Sequence, residues 1–102
     1  MLELRPNCEM CDKDLPPEAT EARICSYECT FCATCVNEVL HNVCPNCAGG
    51  FGPRPIRPAK DRRPGLSRQH QPPGTKRRYL KHDLDDIKTL VATTHDIPPE
   101  KR

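Results

Sequence analysis

Eight cysteines in the first 47 residues constrain this chain more than any other feature. They are Cys8, Cys11, Cys25, Cys29, Cys32, Cys35, Cys44 and Cys47, and three separate Cys-x2-Cys pairs fall within 40 residues. A two-residue spacer turns the chain tightly enough to aim two sulfurs at one point, while amides of the turn donate to them. That is the environment a thiophilic metal ion requires, and eight thiols make two complete tetrahedral sets. The composition makes such staples necessary. Of 102 residues 35% are hydrophobic and 4% aromatic, with no Trp and twelve Pro. So little apolar material builds a thin core, and small scaffolds offset that with disulfides or metal.

The compartment decides between those two. The opening residues, Met1 to Cys8, carry no basic n-region and no apolar h-region, and no apolar stretch approaches a membrane span of about 20 residues. A cytoplasmic location is expected, where thiols stay reduced and cysteine spacing reads as metal chemistry. Zinc, redox-inert and thiophilic, is the expected ion, two Zn2+ per chain. An iron–sulfur cluster is the rival: Cys29, Cys32, Cys35 and then Cys44-Pro45 are similar to the bacterial ferredoxin run. That run has three residues before its Cys-Pro, whereas eight stand here, and four cysteines would go unused.

The net charge of +2 hides two unlike halves. Through Gly52, three basic residues (Arg5, Lys13, Arg23) meet eight acids, giving −5; beyond it thirteen basic residues meet six acids, giving +7. All the cysteines lie in the acidic half. The division is therefore a Cys8 module over 1–52, a basic Pro-rich linker over 53–78, an amphipathic helix over 79–97 and a tail over 98–102. The linker holds six Pro, nine Lys or Arg and one acid, and is expected to be extended, solvated and disordered, with polyproline II character. Ile56 and Leu66 are too few to pack. The arm can equally lie against its own acidic module. In the last segment Leu80, Leu84, Ile87 and Val91 recur at helix-face spacing, Asp83, Asp85 and Asp86 stand early, and Ile97-Pro98-Pro99 ends the pattern. A helix this short is marginal alone, so it docks on the module, meets a partner or its own copy, or forms only in part.

Two groupings of the thiols are open. Sequential pairing gives Cys8, Cys11, Cys25 and Cys29, then Cys32, Cys35, Cys44 and Cys47. Interleaved pairing gives Cys8, Cys11, Cys32 and Cys35 as one site and Cys25, Cys29, Cys44 and Cys47 as the other. The order and gaps resemble a RING-type cross-brace, with Met10 before the second ligand and Pro45 after the seventh, and this resemblance implies the interleaved set. The fold class is then a small metal-stabilised α+β, RING-like two-zinc module with one short helix and little strand. The helix is expected over Ala33–Asn42 with Val36, Val39, Leu40 and Val43 turned inward, and Leu15, Ile24 and Phe31 completing the core. His41 stands between Cys35 and Cys44, but with eight thiols available it reads as a surface histidine; His70, His82 and His95 lack ligand spacing.

A second resemblance is more specific. Glu3-Leu4-Arg5-Pro6-Asn7-Cys8, Cys11-Asp12-Lys13-Asp14-Leu15-Pro16-Pro17, Ile24-Cys25-Ser26, Glu28-Cys29-Thr30-Phe31-Cys32 and Cys44-Pro45-Asn46-Cys47 are similar to a bacterial family of small cysteine-rich proteins catalogued as a domain of unknown function. The likeness spans about residues 2–58 and implies a zinc-binding protein without supplying an activity. Complete four-sulfur sites leave no open coordination position, and no triad or phosphate loop is present, so no enzyme is expected. Ubiquitin-ligase activity is argued against by the missing helix Trp and by Ala48-Gly49-Gly50 after Cys47. The leading function is a zinc-binding interaction module making protein–protein contacts, beside Met10, Phe31 and Pro45 or through the Leu80–Val91 face. The alternatives are a nucleic-acid-binding accessory protein using the arm 54–81, and a thiol-based redox or zinc sensor. No membrane contact is expected.

Overall fold

Ala22-Arg23-Ile24 and Thr30-Phe31-Cys32 flank a five-residue turn beginning and ending in cysteine, and the chain folds back there. In a computed structural model describing residues 1–102, they form strands β1 (Ala22–Ile24) and β2 (Thr30–Cys32), paired antiparallel with Arg23 opposite Phe31. The turn is closed by Glu28 N donating to Cys25 O at 3.0 Å, with Glu28 in the left-handed region at φ 67°. A third strand, β3 (Gly52–Pro53), adds to the other edge of β1, giving the order β2-β1-β3. Phe31 faces inward, fully buried, with its ring edge-on to Phe51 at 5.4 Å.

Helix α1 begins on the next residue. Cys32 is its N-cap, with the Cys35 amide donating to its sulfur, and Ala33–Cys35 run helically into a wider turn over Val36–Leu40. That turn closes from the His41 amide to Val36 O, a five-residue π step, and His41 and Asn42 leave it left-handed at φ 46° and 62°. The extra residue changes which side chains share a face. Val36, Leu40 and Val43 are buried as the periodicity predicts, but Val39 is 46% exposed, because a 3.6-residue period overestimates its rotation toward the core. Ile24 is likewise only half-buried. The helix ends at Leu40 rather than Asn42.

Residues 53–78 have little regular structure, as the composition requires, but they are not a free linker. They lie along the acidic module, and the reason is hydrogen bonding rather than apolar burial. Arg54 is 4% exposed and donates to three carbonyls: Nη1 to Arg5 O at 2.8 Å, Nη2 to Leu15 O at 3.0 Å and Pro16 O at 2.9 Å. Arg57 reaches Leu2 O and Gln71 O, and Gly74 N donates to Leu4 O. Arg77 meets both Asp12 and Asp14 at 2.7 Å, and Arg68 meets Glu18 at 2.7 Å. Buried Asn7 presents its amide to the arm as a backbone would, accepting from Arg78 N at 3.1 Å and donating to Arg78 O at 2.8 Å. Ile56 and Leu66 stay exposed.

Helix α2 spans Leu84–Thr94, shorter than the 79–97 read from the sequence. Asp83 caps it, accepting from Asp86 N at 2.8 Å, and Asp85 and Asp86 sit favourably in the first turn. The preceding Tyr79–His82 is non-helical because Leu80 N is taken by Glu9 O at 3.0 Å. Ile87 and Val91 are buried in the common core, so α2 docks on the module, while Leu84 stays 59% exposed. The tail is not loose: Pro99–Lys101 make a 3₁₀ turn. No helix is long and apolar enough to cross a membrane. The core is thin: six of its fifteen buried hydrophobic residues are cysteines. The radius of gyration of 14.5 Å exceeds the roughly 13 Å of a globular chain this long, which fits an elongated body held by loops.

Arg54 gives the first prediction. Arg54→Met keeps the length of the stem but leaves three buried or half-buried carbonyls without their donor, and should cost about 2–3 kcal/mol. Arg54→Lys should recover less than half, since one ammonium cannot span the same fork. Denaturant midpoints at fixed zinc concentration check both.

Candidate metal centres

Each sulfur is placed by a turn. Cys8 and Cys11 bracket a knuckle closed by Asp12 N donating to Cys8 O at 2.9 Å; Cys44 and Cys47 bracket its counterpart, closed by Ala48 N donating to Cys44 O at 2.7 Å. In both, the residue after the second cysteine is left-handed, Asp12 at φ 63° and Ala48 at φ 64°. Amides point at the sulfurs: Cys11 N to Cys8 Sγ and Cys35 N to Cys32 Sγ, both 3.5 Å, Tyr27 N to Cys25 Sγ at 3.3 Å, and Gly49 N to Cys47 Sγ at 3.4 Å.

These turns bring the sulfurs of Cys8, Cys11, Cys32 and Cys35 within 4.8 Å of one another, and those of Cys25, Cys44 and Cys47 likewise. All eight cysteines are free thiols. The donor chemistry fits a thiophilic ion. Zinc bound to four sulfurs at 2.3 Å sets its ligands about 3.8 Å apart along a tetrahedral edge, and Cys11 Sγ lies 3.8 Å from Cys32 Sγ. Cys29 is not within 4.8 Å of every sulfur of the second cluster; it stands opposite Cys25, whose amide donates to Cys29 O at 3.2 Å. So the structure assembles the first expected quartet whole and three members of the second. His41 is not among the clustered groups; it caps α1, with its ring 6.2 Å from that of His95. His70, His82 and His95 each stand beside an acid, Asp61, Asp86 and Asp96 respectively.

Gathering thiols under the core discourages their ionisation. Burial pushes Cys8, Cys29, Cys35 and Cys44 above the ordinary thiol value, with neighbouring sulfurs adding to the rise at Cys29 and Cys35. Cys11 goes the other way: the small cost of burial is outweighed by donation from Lys13 and the adjoining thiols. A bound divalent ion reverses this balance, because its charge holds the sulfurs as thiolates.

Two residues tie the centres together that spacing alone does not reveal. Glu9, 7% exposed, lies within the first knuckle; its carboxylate accepts from Thr30 N at 2.8 Å and from Asn46 Nδ2 at 3.2 Å, and meets Arg5 at 3.3 Å. It thus joins the first knuckle to β2 and to the Cys44–Cys47 turn, the fourth cysteine pair along the chain and here the fourth knuckle. Asn46 lies between Cys44 and Cys47, donates to Glu9 and lines the same cleft as Cys29. An acid between two cysteines carries no sequence signal for this role.

Comparison with known proteins now bears on the site. The family model described as "Protein of unknown function (DUF1272)" matches residues 1–57. The chain belongs to this family. The resemblance read from residues 2–58 is borne out, and all eight cysteines fall inside the match. An uncharacterized protein of Rhizobium meliloti (strain 1021) is 59% identical over 59 residues, covering 58% of this chain and 70% of that protein. No solved structure matches the chain.

The site makes two predictions. Ala48→Gly relieves a left-handed residue whose Cβ is strained there, and should stabilise the chain by about 1 kcal/mol, measured by thermal unfolding of metal-loaded protein. The pH dependence should differ in sign between the two states. Neutral buried thiols favour the metal-free fold, so that fold weakens as pH rises past the ordinary thiol value of 9.0. The loaded fold weakens as pH falls, because protons compete for the sulfurs. Circular dichroism across pH, with and without a chelator, reads both.

Proposed function

We propose that this protein is a non-catalytic zinc-binding interaction module with two Zn2+ in interleaved, cross-braced sites. The observation that carries this reading is the convergence of Cys8 and Cys11 with Cys32 and Cys35, across 21 residues that hold the Cys25 and Cys29 pair, onto one point beside a second thiol cluster. Structural zinc contributes roughly 10 kcal/mol or more of binding energy to folding, which offsets so thin a core. A full thiolate set gives a substrate no position on the ion, which is why catalysis is not part of the proposal.

The contact face follows from which apolar surface is left uncovered. The region beside Met10, Phe31 and Pro45 is filled from within: Phe31 and Pro45 are buried, and Leu80 packs on the same cluster as Met10. Ile87 and Val91 are spent on docking α2. Ile56, Leu66 and Leu84 are also exposed, but Val39 lies on the wall of a groove of about 320 Å³ between α1 and α2, beside Val91 and Ala92, with His41, His95 and Lys88 on the rim. An apolar floor with a polar rim suits a protein partner. The arm suits nucleic acid less than its composition suggests, since Arg54, Arg57, Arg68, Arg77 and Arg78 are committed to groups of the module.

Native mass spectrometry of protein purified without added metal should find two zinc ions, with no visible absorption; one ion, or absorption near 400 nm, refutes the assignment. Val39→Asp should leave zinc content and folding intact and abolish in-cell cross-links from this groove. A labelled duplex titrated between about 50 and 200 mM salt should show weak binding with a shallow salt slope, whereas a steep one favours the nucleic-acid reading.

A further inference from the structure

The two thiol clusters are not equivalent, and the difference lies at Cys29. We propose that Cys29 is the exchangeable ligand of the second centre and its site of oxidation by peroxide, with Cys25 as the resolving thiol; this rests on the zinc reading of that centre. Three observations converge. Cys25, Cys44 and Cys47 are gathered without Cys29, so its sulfur is the one that must move to complete the set and the first free to leave it. Its pair has a three-residue spacer where every knuckle has two, and the turn between them is closed by Glu28 N donating to Cys25 O at 3.0 Å with Glu28 left-handed at φ 67°. Finally, it lines a cleft of about 580 Å³ whose other walls carry one acid, Glu9, against Arg5, Lys76, Arg78 and Lys81; the two arginines are paired with Glu3 or Glu9, and the two lysines have no carboxylate partner.

That surrounding suits reaction with a hydroperoxide. The Cys29 thiolate attacks one peroxide oxygen; the S–O bond forms, the O–O bond breaks and hydroxide departs into a cationic cleft that stabilises the developing charge. Cys25 stands opposite it across the β1–β2 turn, where the Cys25 amide donates to Cys29 O at 3.2 Å. Its thiolate attacks the sulfenic sulfur, the S–S bond forms, and a second hydroxide leaves. Both hydroxides take protons from solvent, and two electrons have passed from sulfur to peroxide, giving a disulfide and two waters. The second centre is left with Cys44 and Cys47, too few to retain an ion, while the first quartet is untouched. A thiol reductant reverses the change.

The experiment uses the full chain, with zinc counted by native mass spectrometry before and after one equivalent of hydrogen peroxide. Released zinc is followed with a chromogenic chelator, and thiols are mapped by alkylation and peptide mass spectrometry. One of two ions should be lost, with a Cys25–Cys29 disulfide as the first product and full recovery in reductant. First oxidation at exposed Cys11, or simultaneous loss of both ions, overturns the proposal. Lys76→Glu with Lys81→Glu alters no thiol, should keep two ions, and should slow the release about fivefold by reversing the charge of the cleft; an unchanged rate overturns the role given to that cleft. A preparation with no zinc at the outset refutes the zinc reading, and the order of oxidation in the peptide map then decides for or against Cys29 alone.

Discussion

Everything in this fold depends on sulfurs held together where no apolar core could hold the chain. Six buried cysteines are part of the same packed cluster as Leu15, Phe31, Val36, Leu40 and Ile87. The metal-binding groups and the core are therefore one object. Uncoordinated, all six pack as small hydrophobes, and burial makes Cys8, Cys29, Cys35 and Cys44 resist ionisation; coordinated, they become the strongest cross-links in the molecule. The knuckles make this possible cheaply, since each turns an amide of its own backbone onto a sulfur. Their cost is local strain: Asp12 and Ala48 occupy a backbone region that glycine adopts freely.

Around that centre, opposite charges do what hydrophobic burial does in larger proteins. The acidic module and basic arm would repel their own kind if separated, and Arg77 between Asp12 and Asp14 shows the compensation most directly. Those pairs are exposed, so each contributes little alone. The buried contacts matter more. Arg54 gathering three carbonyls, and Asn7 imitating a rung of sheet, satisfy backbone groups that irregular segments would otherwise leave stranded. Only 16 of 40 backbone hydrogen bonds lie within helices and strands, so loops held in this way carry much of the architecture.

This division explains what was legible in the sequence. Cysteine spacing announces metal chemistry because the ligand geometry is encoded within four residues. Core positions such as Leu15, Phe31, Leu40 and Val43 are legible in the sequence, whereas the cap at Asp83 falls inside the segment 79–97 read as helical. Val39 misleads because one π step is invisible to a 3.6-residue template. The arm misleads for a deeper reason: its composition reports that it buries no apolar surface, which is true, but not that its guanidinium groups find carbonyls 38 to 55 residues away. Such pairings exist only once the knuckles have fixed where those carbonyls point. Cys29 belongs to the same class, since its spacing says ligand while its placement depends on the turn at Glu28.

The family match ends at residue 57, yet this chain continues for 45 residues that return to brace what lies before them. The bracing falls where the matched part is most strained. His41, Asn42 and Ala48 are all left-handed and surround the approach to the fourth knuckle. Arg102 Nη1 donates to Asn42 O at 2.8 Å and Ala48 O at 3.0 Å, binding two of those residues from the far end of the chain. Pro99 sits so close to Gly50 that a Cβ there would meet its ring at 3.0 Å. The tail thus closes over the segment that carries Cys44 and Cys47, while residues 76–82 line the cleft beside Cys29. Both additions converge on the second centre, the less complete of the two. The arm braces the first knuckle as well, through Arg77 on left-handed Asp12 and Arg78 on Asn7, so the appended residues reach both centres while the last residues close over the second alone.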